Sequence, residues 1–221
     1  MGVDMAPLRE ALAGRAAVVI AVSLFVIAIA ALTIAVLRVP ASAAAPNRSD
    51  GLAAWQTIYS VMATPRCANC HTATDYPQQG DDRHRHFANV VRGRDGHGVP
   101  GLNCGTCHQS ANADSTGMAG AHDWHLAPLS MRWQDTDDHI LSSAAVCATV
   151  TDRTRNGGLD GPGLLKHHQQ DALVLWAWAP GRGLDGKPRS LPPITHEQFA
   201  VATRRWVEAG MPCPNEARRH K

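Results

Sequence analysis

Apolar and polar positions divide this chain into one unbroken apolar run, a few short amphipathic stretches, and long intervals that carry neither pattern. Residues 16–37 are 22 consecutive uncharged residues rich in Ala, Val, Ile and Leu, with Arg9 and Arg15 ahead of them and Arg38 behind. That length suits a membrane-spanning helix and exceeds the core of an ordinary signal peptide. The small-residue sequence Ala41-Ser42-Ala43 that follows is of the kind signal peptidases cut. Residues 1–43 are therefore expected to be a signal anchor or a cleaved signal, and either reading exports the remainder. Residues 44–50 form a small polar linker, and 51–221 the working domain.

Beyond the linker, Leu52, Trp55, Tyr59 and Met62 recur at helical spacing, with Ser49 or Asp50 placed to cap the helix and Pro65 to stop it. A second helix is expected from Asp135 or Thr136 through Ile140, Leu141, Ala144 and Ala145 to about Val150. The Arg155-Asn156-Gly157-Gly158 turn separates it from a helix opened by Pro162 and reaching about Gln170. Leu173 to Trp178 is apolar but too short to tell helix from strand. Thr195 and Gln198 spell a capping box for the last helix, where Phe199, Ala202 and Trp206 share a face and Gly210 and Pro212 mark the stop. No alternating pattern of any length announces a sheet. The fold class expected is mainly α with long Gly/Pro-rich loops, preceded by an N-terminal hydrophobic helix.

One of those loops changes the picture. From Thr72 to Leu102, Pro77, Gly80, Gly93, Gly96, Gly98, Pro100 and Gly101 leave no room for a long helix, and a loop of that length needs something besides side chains to organise it. It is bracketed by Cys67-Ala-Asn-Cys70-His71 and Cys104-Gly-Thr-Cys107-His108. Both read C-x-x-C-H, the attachment signal of a c-type haem. The chemistry requires that pattern, because two thiols add across the two vinyl groups of one haem and the adjoining histidine ligates the iron. A four-thiolate zinc ribbon or a thioredoxin-type pair needs no histidine after each pair. At 12 histidines in 221 residues, two fall there by chance about 0.3 % of the time against a motif that demands them. Two covalently bound haem c groups are expected, on Cys67, Cys70 and His71 and on Cys104, Cys107 and His108. Their apolar rings would give an interior to a chain with only 5 % aromatic residues.

Each iron then needs a second axial ligand or an open position. His84, His86 and His97 lie between the motifs; Met118, His122, His125 and Met131 follow them; no histidine precedes His71. His86 is preferred over His84 for the first haem. For the second, His125 leads Met131 and Met118, and a methionine there would raise the reduction potential. Cys147 and Cys213, outside both motifs, are expected to pair as a disulfide in an oxidising compartment. Setting aside Arg9, Arg15, Arg38, Asp4 and Glu10 leaves 18 Lys and Arg against 17 Asp and Glu, too even a balance for nucleic-acid binding. Arg92 and Arg94 are possible partners for haem propionates, although solvated surface charge is the commoner fate of an arginine.

The region from Cys67 to Pro214 resembles the di-haem cytochromes that form the cytochrome subunit of isoquinoline 1-oxidoreductase-type molybdenum hydroxylases. The matching pieces are Cys70-His71, Gln79-Gly80-Asp81-Asp82, His86, Asn89-Val90, Arg92-Gly93, Asp95-Gly96 and Cys107-His108-Gln109. Trp124-His125-Leu126, Arg155-Asn156-Gly157-Gly158, Leu175-Trp176 and Pro212-Cys213-Pro214 complete them. The resemblance implies a periplasmic carrier, or the electron-accepting subunit of a larger enzyme, passing single electrons from a donor oxidoreductase towards the respiratory chain. The partners it implies are redox proteins, possible donors including a molybdenum hydroxylase-type enzyme, with a membrane tether if residues 16–37 are retained. The rival reading is a di-haem peroxidase-like enzyme with one open iron, for which His122 or Glu197 would serve as acid/base group.

Overall fold

Asn47 begins the first helix. Its side chain accepts hydrogen bonds from the backbone N–H groups of Ser49 and Asp50, and the Asp50 carboxylate accepts from the Asn47 N–H in return, so helix α1 (Arg48–Met62) starts on a complete capping box. The cap lies two residues ahead of Ser49 and three ahead of Asp50, the two expected positions. The computed structural model describes residues 47–215; the expected apolar helix 16–37 and the Ala41-Ser42-Ala43 site lie outside the described residues. Among those described, no helix is long and apolar enough to cross a membrane.

Helices α1 and α6 (His196–Glu208) pack together as the main core pair. Trp55, Ile58 and Val61 of α1 and Trp206 of α6 have no exposed surface, and burying each aliphatic member stabilises the fold by roughly 1.5–3 kcal/mol. The Trp55 and Trp206 rings lie 4.9 Å apart, tilted by 40°. An indole can be buried cheaply only if its N–H finds an acceptor. Trp55 Nε1 donates to Ser143 Oγ at 2.9 Å and Trp206 Nε1 to Pro212 O at 3.1 Å. Gly51 is required at this junction, since a Cβ there would stand 2.6 Å from Ala209 Cβ and from Pro212 Cγ.

Around this pair sit the short α2 (Pro65–Ala68), α3 (Ser143–Thr151), α4 (Gly161–Gln170) and α5 (Ala172–Trp176). The capping box of Thr195 and Gln198 and the buried face of Phe199, Ala202 and Trp206 stand in α6 as the sequence predicts. Helix α4 has Pro162 in its first turn, as expected, and opens on an Asp160 cap that was not among the expected ones. Leu173 to Trp178 resolves as mainly the helix α5.

The expected start of α3 is wrong by several residues. The Asp135 carboxylate accepts from the N–H groups of Asp137 and His139, at 2.9 and 3.0 Å, which holds a tight turn, and Leu141 N–H donates to Trp133 O. A short acidic side chain that caps its own turn competes with helix formation. The helix begins only after Ser142, whose hydroxyl accepts from Ala145 N–H.

The Thr72–Leu102 stretch holds two short antiparallel hairpins, β1 (Gln78–Gln79) with β2 (His84–Arg85) and β3 (Gly98–Val99) with β4 (Leu102–Asn103), and a 3-10 turn at Phe87–Asn89. Buried Arg92 ties it to the body: its guanidinium donates to the carbonyls of Thr72, Thr74 and Ala127. This arginine is a strut and not a solvated charge; Arg94 is exposed. Cys147 in α3 and Cys213 after α6 form the expected disulfide, with Cα atoms 5.6 Å apart.

Candidate functional site

Helix α2 sets the geometry of the first motif. Pro65 starts it and Cys67 sits in its single turn, so the N–H groups of Cys70 and His71 both donate to Cys67 O at 3.1 Å. Cys67 and His71, one turn apart, therefore point the same way. The segment is clamped from outside. Fully buried Gln134 donates to Ala68 O at 2.9 Å and to Gln78 Oε1 at 2.7 Å, and Asn69 donates to Gly80 O.

His71 is fixed at three points. Its carbonyl accepts from Trp133 N–H at 2.8 Å, its ring lies flat on the Trp133 indole, and its Nδ1 is 2.7 Å from Met131 O. A carbonyl has no proton to give, so Nδ1 carries the hydrogen and donates it. Burial pushes the His71 pKa down to about 4, so the ring is neutral and Nε2 keeps a bare lone pair. That is the tautomer a metal-ligating histidine adopts when a backbone carbonyl holds its other nitrogen.

The second motif repeats the device from different elements. Asn103 caps a single 3-10 turn, Cys104–Thr106, and the N–H groups of Cys107 and His108 donate to Cys104 O at 3.2 and 2.9 Å. His108 Nδ1 donates to Ala119 O at 2.8 Å, and the ring stacks on Trp124 with centroids 4.7 Å apart and planes within 9°. Burial lowers the His108 pKa as well. Ala119 is held in place because its neighbour Gly120 presses on backbone: a Cβ there would stand 2.1 Å from Ala111 O.

Next to the first motif is a cavity of about 230 Å³, its wall including Cys67, Cys70, His71, Trp124, Leu164 and Phe199. Two of its lining residues hold buried N–H donors without acceptors, Arg66 Nε and Trp133 Nε1. Buried donors are rarely left unpaired, and a carboxylate-bearing ligand in this cavity would satisfy them. Trp124 belongs to both sites, since it stacks on His108, lines the cavity beside His71 and meets Trp176 edge-on at 4.8 Å. Cys70 and Cys104 are close enough that a charge on one opposes a charge on the other.

The four motif thiols are free. Among the described residues, no three of them bring their sulfurs to a common point; the convergent clusters are His97, Asp123 and His125, and Asp135, Asp137 and His139. That arrangement does not suit a four-thiolate zinc ribbon, whose sulfurs must meet on one ion. Burial pushes Cys67 up to about 12 and Cys70 up to about 11, the reverse of the lowered pKa that makes a redox dithiol reactive.

The residues expected as distal ligands fall at several places in the fold. His86 does not line the cavity beside His71; its ring lies 5.9 Å from that of His108, at 70° to it. Its Nδ1 donates to Phe87 O, which leaves Nε2 free. A metal ion shared by two imidazoles lies about 2.0–2.1 Å from each nitrogen, which puts the ring centres roughly 6 Å apart. His125 and Met131, weighed for the second motif, line the cavity of the first. His125 also stacks on His97 at 4.8 Å, and the two share Asp123. His84 pairs with Asp82 through Nδ1, and Met118 bridges Ala113 through its backbone. His122 and Glu197 are exposed and line no part of the cavity. Sequence spacing missed Trp133, Trp124 and the pair His167 and Asp171, although a His and Asp four apart at a helix end is itself a signal.

No family model, curated protein or solved structure matches this chain.

Proposed function

We propose that this chain is a periplasmic di-haem c-type cytochrome that passes single electrons from a donor oxidoreductase towards the respiratory chain. The observation that carries the reading is the equivalence of the two motifs. Each presents two free thiols and a neutral histidine whose Nδ1 is spent on a backbone carbonyl, whose ring rests on a tryptophan, and whose Nε2 is left bare. Cys67 and Cys70, and likewise Cys104 and Cys107, would hold one haem each as thioethers, with each S–H adding across a vinyl double bond. When bound, haem supplies a one-electron iron couple.

The residues do the rest. Trp133 and Trp124 hold the ligand rings in fixed planes, Arg66 and Trp133 offer N–H donors to propionates, and Trp124 keeps the two sites adjacent. Phe87 and Leu102 are 57 % and 44 % exposed beside His86 and Cys104, an apolar surface that a bound macrocycle would cover. The resemblance to the cytochrome subunits of molybdenum hydroxylases supports such an enzyme as the donor, and a retained apolar run at residues 16–37 would tether the carrier to the inner membrane.

Co-expression with a cytochrome c maturation system tests the proposal. Two haems per chain by pyridine haemochrome, a mass increase of two haem groups, and two reversible one-electron couples are expected. A colourless exported protein holding zinc or free thiols overturns it, and rapid peroxide turnover with a reduced dye favours the peroxidase instead.

A further inference from the structure

The cavity beside His71 contains an imidazole that the motifs do not account for. His167 lies in the last turn of helix α4 and Asp171 one turn further on, at the junction of α4 and α5, and both line the same cavity as Cys67, Cys70 and His71. His167 Nδ1 lies 3.4 Å from Asp171 Oδ2. The carboxylate is itself immobilised, because its other oxygen accepts from the N–H groups of Leu173 and Val174 as the N-cap of α5, at 2.9 and 3.3 Å. The Nδ1 of the ring thus stands within ion-pair distance of a rigid carboxylate, and its Nε2 has no hydrogen-bond partner among the described residues. A carboxylate backing a histidine in this way orients the ring and raises its basicity as a metal ligand.

Its neighbours are less suited. Met131 offers its carbonyl to His71 Nδ1 and so stands behind the ligand ring. His125 shares Asp123 with His97 in a separate cluster. His168 is a core residue, 5 % exposed, with its ring against Phe199 and its Nδ1 on Thr203 Oγ1 at 2.9 Å. The His167 side chain is 40 % exposed, although one wall of its surroundings is the cavity.

We infer that His167, held by Asp171, is the second axial ligand of the haem attached at Cys67 and Cys70, opposite His71. The inference rests on the two-haem reading. It also frees His86 for the partner it faces, His108. Both irons are then bis-histidine, with low potentials relative to methionine-ligated sites.

The holo-protein variants His167→Ala and His167→Met test this by spectroscopy. His167→Ala should keep two haems by pyridine haemochrome while one of two ferric low-spin EPR signals gives way to a high-spin one, and added imidazole should restore the low-spin form. His167→Met should stay low-spin but gain a sulfur-to-iron charge-transfer band and a raised potential at that haem. Asp171→Asn should keep two low-spin haems and shift the potential of one. If His167→Ala leaves both haems low-spin while His125→Ala, His168→Gln or Met131→Leu converts one, the assignment is overturned. A wild-type protein with no covalent haem would instead sink the two-haem reading itself.

Discussion

The imidazole of His71 lies flat on the indole of Trp133, with ring centroids 3.5 Å apart and planes within 5°. The same tryptophan donates its backbone N–H to the His71 carbonyl, so one residue fixes both the position and the plane of the ring. Trp133→Ala opens a void at the junction of α1, α2 and the cavity. It should cost about 3–5 kcal/mol in urea unfolding, and Trp133→Phe should recover part of that loss.

His86 faces His108 across 5.9 Å. His86→Ala should therefore turn one haem high-spin, and not the one affected by His167→Ala. The double variant His86→Ala/His167→Ala should lose both low-spin EPR signals. If His86→Ala and His167→Ala alter the same signal, the pairing of His86 with the second motif is wrong.

The Cys147–Cys213 link closes 66 residues, from α3 to the segment after α6. In the chain-entropy model such a loop contributes roughly 4 kcal/mol. Cys147→Ala/Cys213→Ala should lower the unfolding free energy by about 2–5 kcal/mol in guanidinium titration, with both haems still attached.

His168 gives the fold a defined acid sensitivity. Burial first, and then the neighbouring imidazoles of His167, His71 and His196, push its pKa down to about 3 from the ordinary 6.5. Between those values the unfolded chain binds a proton that the folded chain refuses, so stability is full above pH 6.5 and falls as the pH drops towards 3. The slope from this one group reaches ~1.4 kcal/mol per pH unit. His168→Gln should flatten that decline in unfolding curves measured between pH 7 and 4, while leaving both low-spin haem signals in place.

Helix ends with strong chemical signals were legible in the sequence. Thr195 with Gln198, and Pro162, start α6 and α4 where the pattern puts them, the first pair because it satisfies orphan N–H groups locally and the proline because it has none to satisfy. Asp135 misled for the same reason: its carboxylate serves a turn instead of a helix. The two motifs and the disulfide were legible too, since cysteine spacing carries its own chemistry. The spatial neighbours of His71 and His108 were not. Spacing puts His86 nearer to His71 than to any later motif residue except through the loop, yet the Arg92 strut and the glycine-rich hairpins fold that loop so that His86 meets His108. His167 lies 96 positions beyond His71 and reaches the cavity only because α4 packs against α6.

The two cysteine pairs differ in how they meet the outside. Cys67 and Cys70 look into a recess walled by several helices, whereas Cys107 stands at the surface. If both pairs carry haem as proposed, Cys107 would be open to an assembly enzyme on a finished molecule, whereas the half-buried Cys67 and Cys70 would be reached more readily on a still-open chain. Under the two-haem proposal maturation would run in order, the inner group before the bundle closes and the outer group after it.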